Sequence, residues 1–136
     1  MIKACTVGII YFSAVFTVAF ALGIARILVI ARYIGASAAV ILEVPIVVVL
    51  SWVVACYLLK RHSFSLPQSA VMGATAFMLT MASEVVLARL LRGQSATEWI
   101  SNIATPIGLF GLAGQIAFAV IPVLITQRHI QHSQSL

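Results

Sequence analysis

Only 8% of the 136 residues are charged, 62% are hydrophobic, and the mean hydropathy is +1.15. A soluble domain carries about 25% charged residues, so the composition excludes one and makes the bilayer the natural solvent. The net charge of +5 comes from eight basic residues against three glutamates. Those cations fall at the ends of apolar runs, where they reach lipid headgroups, which argues against nucleic acid as a partner.

A crossing takes roughly 20 apolar residues, so the length accommodates about four. The expected fold is an all-α membrane protein: four transmembrane helices bundled as two antiparallel hairpins in a single domain over 1–136. The first span is expected over about 6–30. Lys3, the apolar run and Ala19-Phe20-Ala21 resemble a cleavable signal, but the run continues to Ile30, so the segment reads as an uncleaved helix. A turn around Gly35 leads into the second span, about 37–59, with Pro45 one turn in. The stretch from Lys60 to Gln68 is the most polar connection, and the third span is expected over about 69–91 before a stop at Gly93. Ser95-Ala96-Thr97-Glu98 has the form of a capping box and predicts a short interfacial helix. Thr105-Pro106 opens the fourth span, about 106–127, with a kink at Pro122 and a polar, frayed tail from Arg128.

Lys3, Lys60, Arg61 and Arg128 lie on one side of this topology, against Arg32 and Arg92 on the other with Arg26 and Arg89 deeper. The bias places both termini in the cytoplasm. Cys5 and Cys56 fall near that cytoplasmic side without CxxC spacing, and read as reduced thiols.

Steps of three and four residues give the most specific signal. Gly8, Phe12, Val15, Ala19, Gly23 and Arg26 share one line; Glu43, Val47, Ser51 and Ala55 another; Ser69, Gly73, Ala76, Thr80 and Glu84 a third; Gly108, Gly111, Gln115, Ala119, Pro122 and Thr126 the fourth. Small residues let helices approach in a bilayer, and polar ones bond across the gap. These stripes should face one another. Counting from the turns puts Arg26, Glu43 and Glu84 at one level, so a buried cluster of these three is expected, with Gln115 below it. Arg26 and Glu43 would form a staple, because a charge at the bilayer centre costs about 3 kcal/mol unless partnered.

Two functions fit that cluster. One is a structural or accessory role, acting as a homo-oligomer or within a larger membrane complex. The other is a small proton- or ion-coupled carrier or channel, in which Glu43 or Glu84 takes up and releases a proton. No catalytic site is expected, because the chain has no aspartate, no histidine within a span, no GxSxG and no HExxH. His129 and His132 lie in the tail and His62 in a loop, so neither a metal site nor a haem cofactor is expected.

Phe20-Ala21-Leu22-Gly23-Ile24-Ala25-Arg26 and Leu42-Glu43-Val44-Pro45 resemble a family of short, uncharacterised four-helix inner-membrane proteins of proteobacteria. Its pattern is Gly-x-x-Arg closing helix 1, Glu-x-Pro early in helix 2, a glutamate late in helix 3 and a proline late in helix 4. Gly23, Arg26, Glu43, Pro45, Glu84 and Pro122 match it, while Arg32-Tyr33-Ile34-Gly35 stands where the family often begins its turn with proline. The resemblance implies an inner-membrane location and no particular activity.

Overall fold

Inside a bilayer no water satisfies the backbone, so apolar runs of this length are driven to form helices whose N–H and C=O groups bond within the segment. The computed structural model describes residues 1–134, which form helices and turns with no strand among them. The helices are α1 (Ile2–Ile34), α2 (Ala36–Arg61), α3 (Leu66–Arg92), α4 (Ala96–Ile103) and α5 (Pro106–Gln134). Four of the five are long and apolar enough to cross a membrane.

All four long helices extend past the expected limits. α3 begins before 69 because Ser65 and Gln68 cap it: the Ser65 N–H donates to Gln68 Oε1 at 2.9 Å. α5 continues to Gln134, so the expected fraying from Arg128 does not occur, and residues 135–136 lie outside the described residues. Other boundaries agree with the sequence signals. Gly35 joins α1 to α2 as a one-residue connection at φ 83°, a conformation suited to glycine. Gly93 ends α3 in the left-handed region, with the Gln94 N–H bonded back to Ala88 O. Ser95 caps α4 reciprocally with Glu98, and the Thr105 hydroxyl accepts from the Gly108 N–H at the start of α5.

Around the bundle the order is α1, α3, α5, α2, with α1 also against α2. Backbones of α1 and α5, and of α2 and α3, do not approach each other among the described residues. Register is set by paired residues. Ser69 and Thr126 share a buried hydroxyl–hydroxyl bond of 2.6 Å, and Gly73 packs against Ala119, so numbers rise along α3 as they fall along α5. A Cβ on Gly8 would come within 2.7 Å of the Met72 carbonyl oxygen, which sets α1 close against α3.

Burial is uneven along the bundle. Tyr11, Ala55, Met72, Ala76, Phe118 and Ile121 form the core of the half that contains Met1, the α2–α3 loop and Arg128. Toward Gly35 and Gly93, only Ala39 and Ala88 are buried. The small-residue stripes account for this. Ser51, Ser69, Gly73, Ala76, Pro122 and Thr126 are buried as the three-and-four spacing requires, while Ile9, Val18, Val49, Val53, Met78 and Leu124 face outward.

One core contact crosses the diagonal. Tyr11, fully buried, stacks on the Phe118 ring with centroids 4.5 Å apart and donates its hydroxyl proton to the Phe118 carbonyl at 3.0 Å. Pro122 stands four residues after Phe118 and has no N–H to offer that carbonyl. Tyr11 supplies the missing donor. Tyr11→Phe should therefore destabilise the bundle by about 1–2 kcal/mol. The loss should be smaller in a Pro122→Ala background, where residue 122 regains its own donor. Denaturant unfolding of the four proteins in detergent micelles checks the coupling; equal losses in both backgrounds would remove the link between tyrosine and proline.

Candidate functional site

The residues singled out for chemistry all lie in the loosely packed half. Arg26 closes the α-helical part of α1, where the backbone passes into a π turn over Arg26–Ile30. The wider turn shifts the phase of the last residues of α1 relative to its first part, a feature often found at functional positions. The Arg26 Nε lies 2.6 Å from Glu43 Oε2, the one salt bridge among the described residues. A Cβ on Gly23, one turn before Arg26, would stand 3.7 Å from Glu43 Oε1, an ordinary contact distance, so the carboxylate lies alongside this turn of α1.

The expected burial of this pair is corrected by its exposure, 27% for the Arg26 side chain and 19% for Glu43. The reason is local. Few residues are buried at this end of the bundle, and the pair lies near its surface instead of in the core.

Glu84 does not join them. Its Oε1 accepts from Gln115 Nε2, tying α3 to α5. The four residues expected as one cluster thus form two pairs, α1 with α2 and α3 with α5. The pairs sit at one level. Val44, next to Glu43, packs on Gly114, next to Gln115: a Cβ on Gly114 would come within 2.6 Å of Val44 Cγ1. Gln115 is bonded at the level of the glutamates instead of standing below them.

The chemistry open to this arrangement is narrow. Arg26 and Glu43 neutralise each other, and Glu84 is held by a neutral amide. No group of three or more His, Cys, Asp or Glu side chains could hold a metal ion among the described residues. His129 is exposed, and Cys5 and Cys56 are free thiols. At the opposite end, Arg61 lies over the Tyr57 ring and Arg128 over the Trp52 ring, each 5.1 Å from the centroid. Those contacts hold two of the basic side chains against aromatic faces.

Sequence reasoning missed Tyr11 and the Ser65–Gln68 cap. A signal for the first was present, because a proline within a span implies a carbonyl in need of a donor. No family model, curated protein or solved structure matches the chain.

Arg26→Gln leaves the Glu43 carboxylate without its cation. It should cost about 1–2 kcal/mol, below the roughly 3–5 kcal/mol of a fully buried pair because solvent and headgroups screen this one. Adding Glu43→Gln should recover most of the loss. Denaturant titration in micelles gives the comparison, and a double variant as unstable as the single one would deny the pair its cross-linking role.

Proposed function

We propose that the chain is an integral inner-membrane protein with a structural or accessory role and no catalytic activity, working as a homo-oligomer or as part of a larger membrane complex. Two antiparallel hairpins span the membrane, α4 lies in the interface, and both termini are cytoplasmic. The likeness in Gly23, Arg26, Glu43, Pro45, Glu84 and Pro122 supports placing the chain with the short four-helix proteobacterial proteins. The amphipathic pattern of α4, with Trp99 and Ile100 behind a polar first turn, suits a position at the headgroups.

One observation carries this reading: Tyr11, Arg26, Glu43, Glu84 and Gln115 are each committed to a partner on another helix. Tyr11 bonds to the Phe118 carbonyl, Ser69 to Thr126, Gln115 to Glu84, and Arg26 pairs with Glu43. Ser51, Thr75 and Thr80 donate to carbonyls of their own helices. A carrier needs polar groups that face a route and exchange partners. Four of these contacts instead link helices, and the tight half closes on Tyr11, Met72 and Phe118.

A second reading keeps one specific support. Glu84 has an amide partner and not a cation, so it could hold a proton, as a small proton- or ion-coupled carrier or channel using Glu43 or Glu84 would require. Proton flux into liposomes separates the two. Purified protein should give flux equal to protein-free vesicles, with Glu84→Gln no different, while affinity capture in mild detergent should return the protein with further copies or fixed partners. Flux above the empty vesicles that Glu84→Gln abolishes would replace the accessory role with transport. For orientation, a C-terminal fusion to a reporter active only outside the cytoplasm should stay silent, and activity there would invert the topology.

A further inference from the structure

In the loose half, α1 and α3 are parted by a groove of about 350 Å³ open to the outside of the bundle. Phe16 and Phe20 form the α1 wall, stacked on one another with ring centroids 6.0 Å apart, and Phe16 stacks in turn on Phe12. Leu79, Val86 and Leu87 line the α3 side, and Ala82 and Ser83 contribute only short side chains. The lining is almost wholly apolar. Neighbouring polar groups do not turn into it: Glu84 is bonded away to Gln115.

The depth of the groove is informative. From Leu79 to Leu87, the ends of the α3 lining, the helix rises about 12 Å, under half of a hydrocarbon core of roughly 30 Å. A groove of that length fits within one leaflet, and its α3 wall ends two residues before Arg89. Arg89 is exposed there, one turn beyond Val86, with Arg92 a further turn along. Neither is in a salt bridge among the described residues. Both also offset the carbonyl end of α3, a role that leaves an exposed guanidinium free to meet a phosphate.

We infer that this groove is a binding site for an anionic phospholipid of the leaflet on the Gly35–Gly93 side, its acyl chain lying between Phe16, Phe20 and Val86 and its phosphate at Arg89. The occupant is a lipid and not a second protein chain because an apolar slot shorter than one leaflet, with an unpaired cation just past its end, matches a chain joined to an anion. A facing helix would run past that end. Specificity comes from the charge, since an acyl chain alone gains little on leaving other lipid tails, and a cation near the surface favours an anionic headgroup about fivefold.

Purified protein in mild detergent is offered phosphatidylglycerol or phosphatidylcholine with the same acyl chains, and retained lipid is counted by native mass spectrometry. The wild type should keep phosphatidylglycerol about fivefold better. Arg89→Gln should abolish the preference while some lipid is still retained. Ala82→Leu, which puts a branched side chain into the slot, should lower retention of both lipids. Helix content and elution volume establish that each variant is folded, and Ser83→Leu stands in if Ala82→Leu is not. Equal retention of the two lipids by the wild type, a preference that survives Arg89→Gln, or a wild type that fills the face by dimerising instead of holding lipid would each overturn the site.

Discussion

The bundle depends on one backbone carbonyl. Pro122 denies Phe118 its helical donor in a medium where an unsatisfied carbonyl costs several kcal/mol. Tyr11 answers from α1, across the diagonal, where the two backbones do not meet. A tyrosine is long enough for that reach, and its ring fills the space it crosses, stacked on the residue whose carbonyl it caps. The requirement fixes how deep α1 sits relative to α5. In the same half Gly8 stands close against the Met72 carbonyl, and Ala76 is fully buried. One defect in helical bonding thereby becomes a specific cross-link, and the best-buried part of the molecule is built around it.

From that point the packing loosens toward Gly35, and the means of holding the helices change with it. In the tight half, backbones touch through Gly8, Gly73, Ser69 and Thr126, whose side chains add almost no spacing. In the loose half one glycine contact remains, Gly114 against Val44, and the other links are Arg26 with Glu43 and Gln115 with Glu84. Long polar side chains reach between helices without bringing the backbones together, and these bond to partners on another helix. The gradient from short to long connectors is written in the residue types. The partial exposure of Arg26 and Glu43 is tolerable because a guanidinium roughly 13 Å from the α1–α2 turn can extend toward the headgroup region.

The spans, the turn glycines and the inward stripes are legible in the sequence because hydropathy and helical period determine them directly. The Ser95 cap is legible from four residues. Ser65-Leu66-Pro67-Gln68 has the same form, yet it is masked by the polar connection in which it sits. On the α1 stripe Tyr11 and Phe12 both satisfy the spacing from Gly8 to Val15, and only the vacancy at Phe118 distinguishes them. Depth is legible for Arg26, Glu43 and Glu84. Which helix stands beside which is not. Counting from turns gives a height and no direction around the bundle, so height alone groups Glu84 with Arg26, although α3 meets α5 at that level and α2 claims the arginine.

That same arrangement explains where the open slot lies. Going round the loose half, α1 is tied to α2 by the ion pair, α2 to α5 by Val44 on Gly114, and α5 to α3 by the amide–carboxyl bond. The fourth side, between α1 and α3, has neither a polar bond nor a glycine contact at this height. It is faced by Phe16 and Phe20, too wide to let the backbones close and aligned along α1 so that no neighbour interdigitates. A ring of four helices with three ties opens at the untied edge. The groove is thus the remainder of the same geometry that pairs the charges, and rearranging either pair would move it.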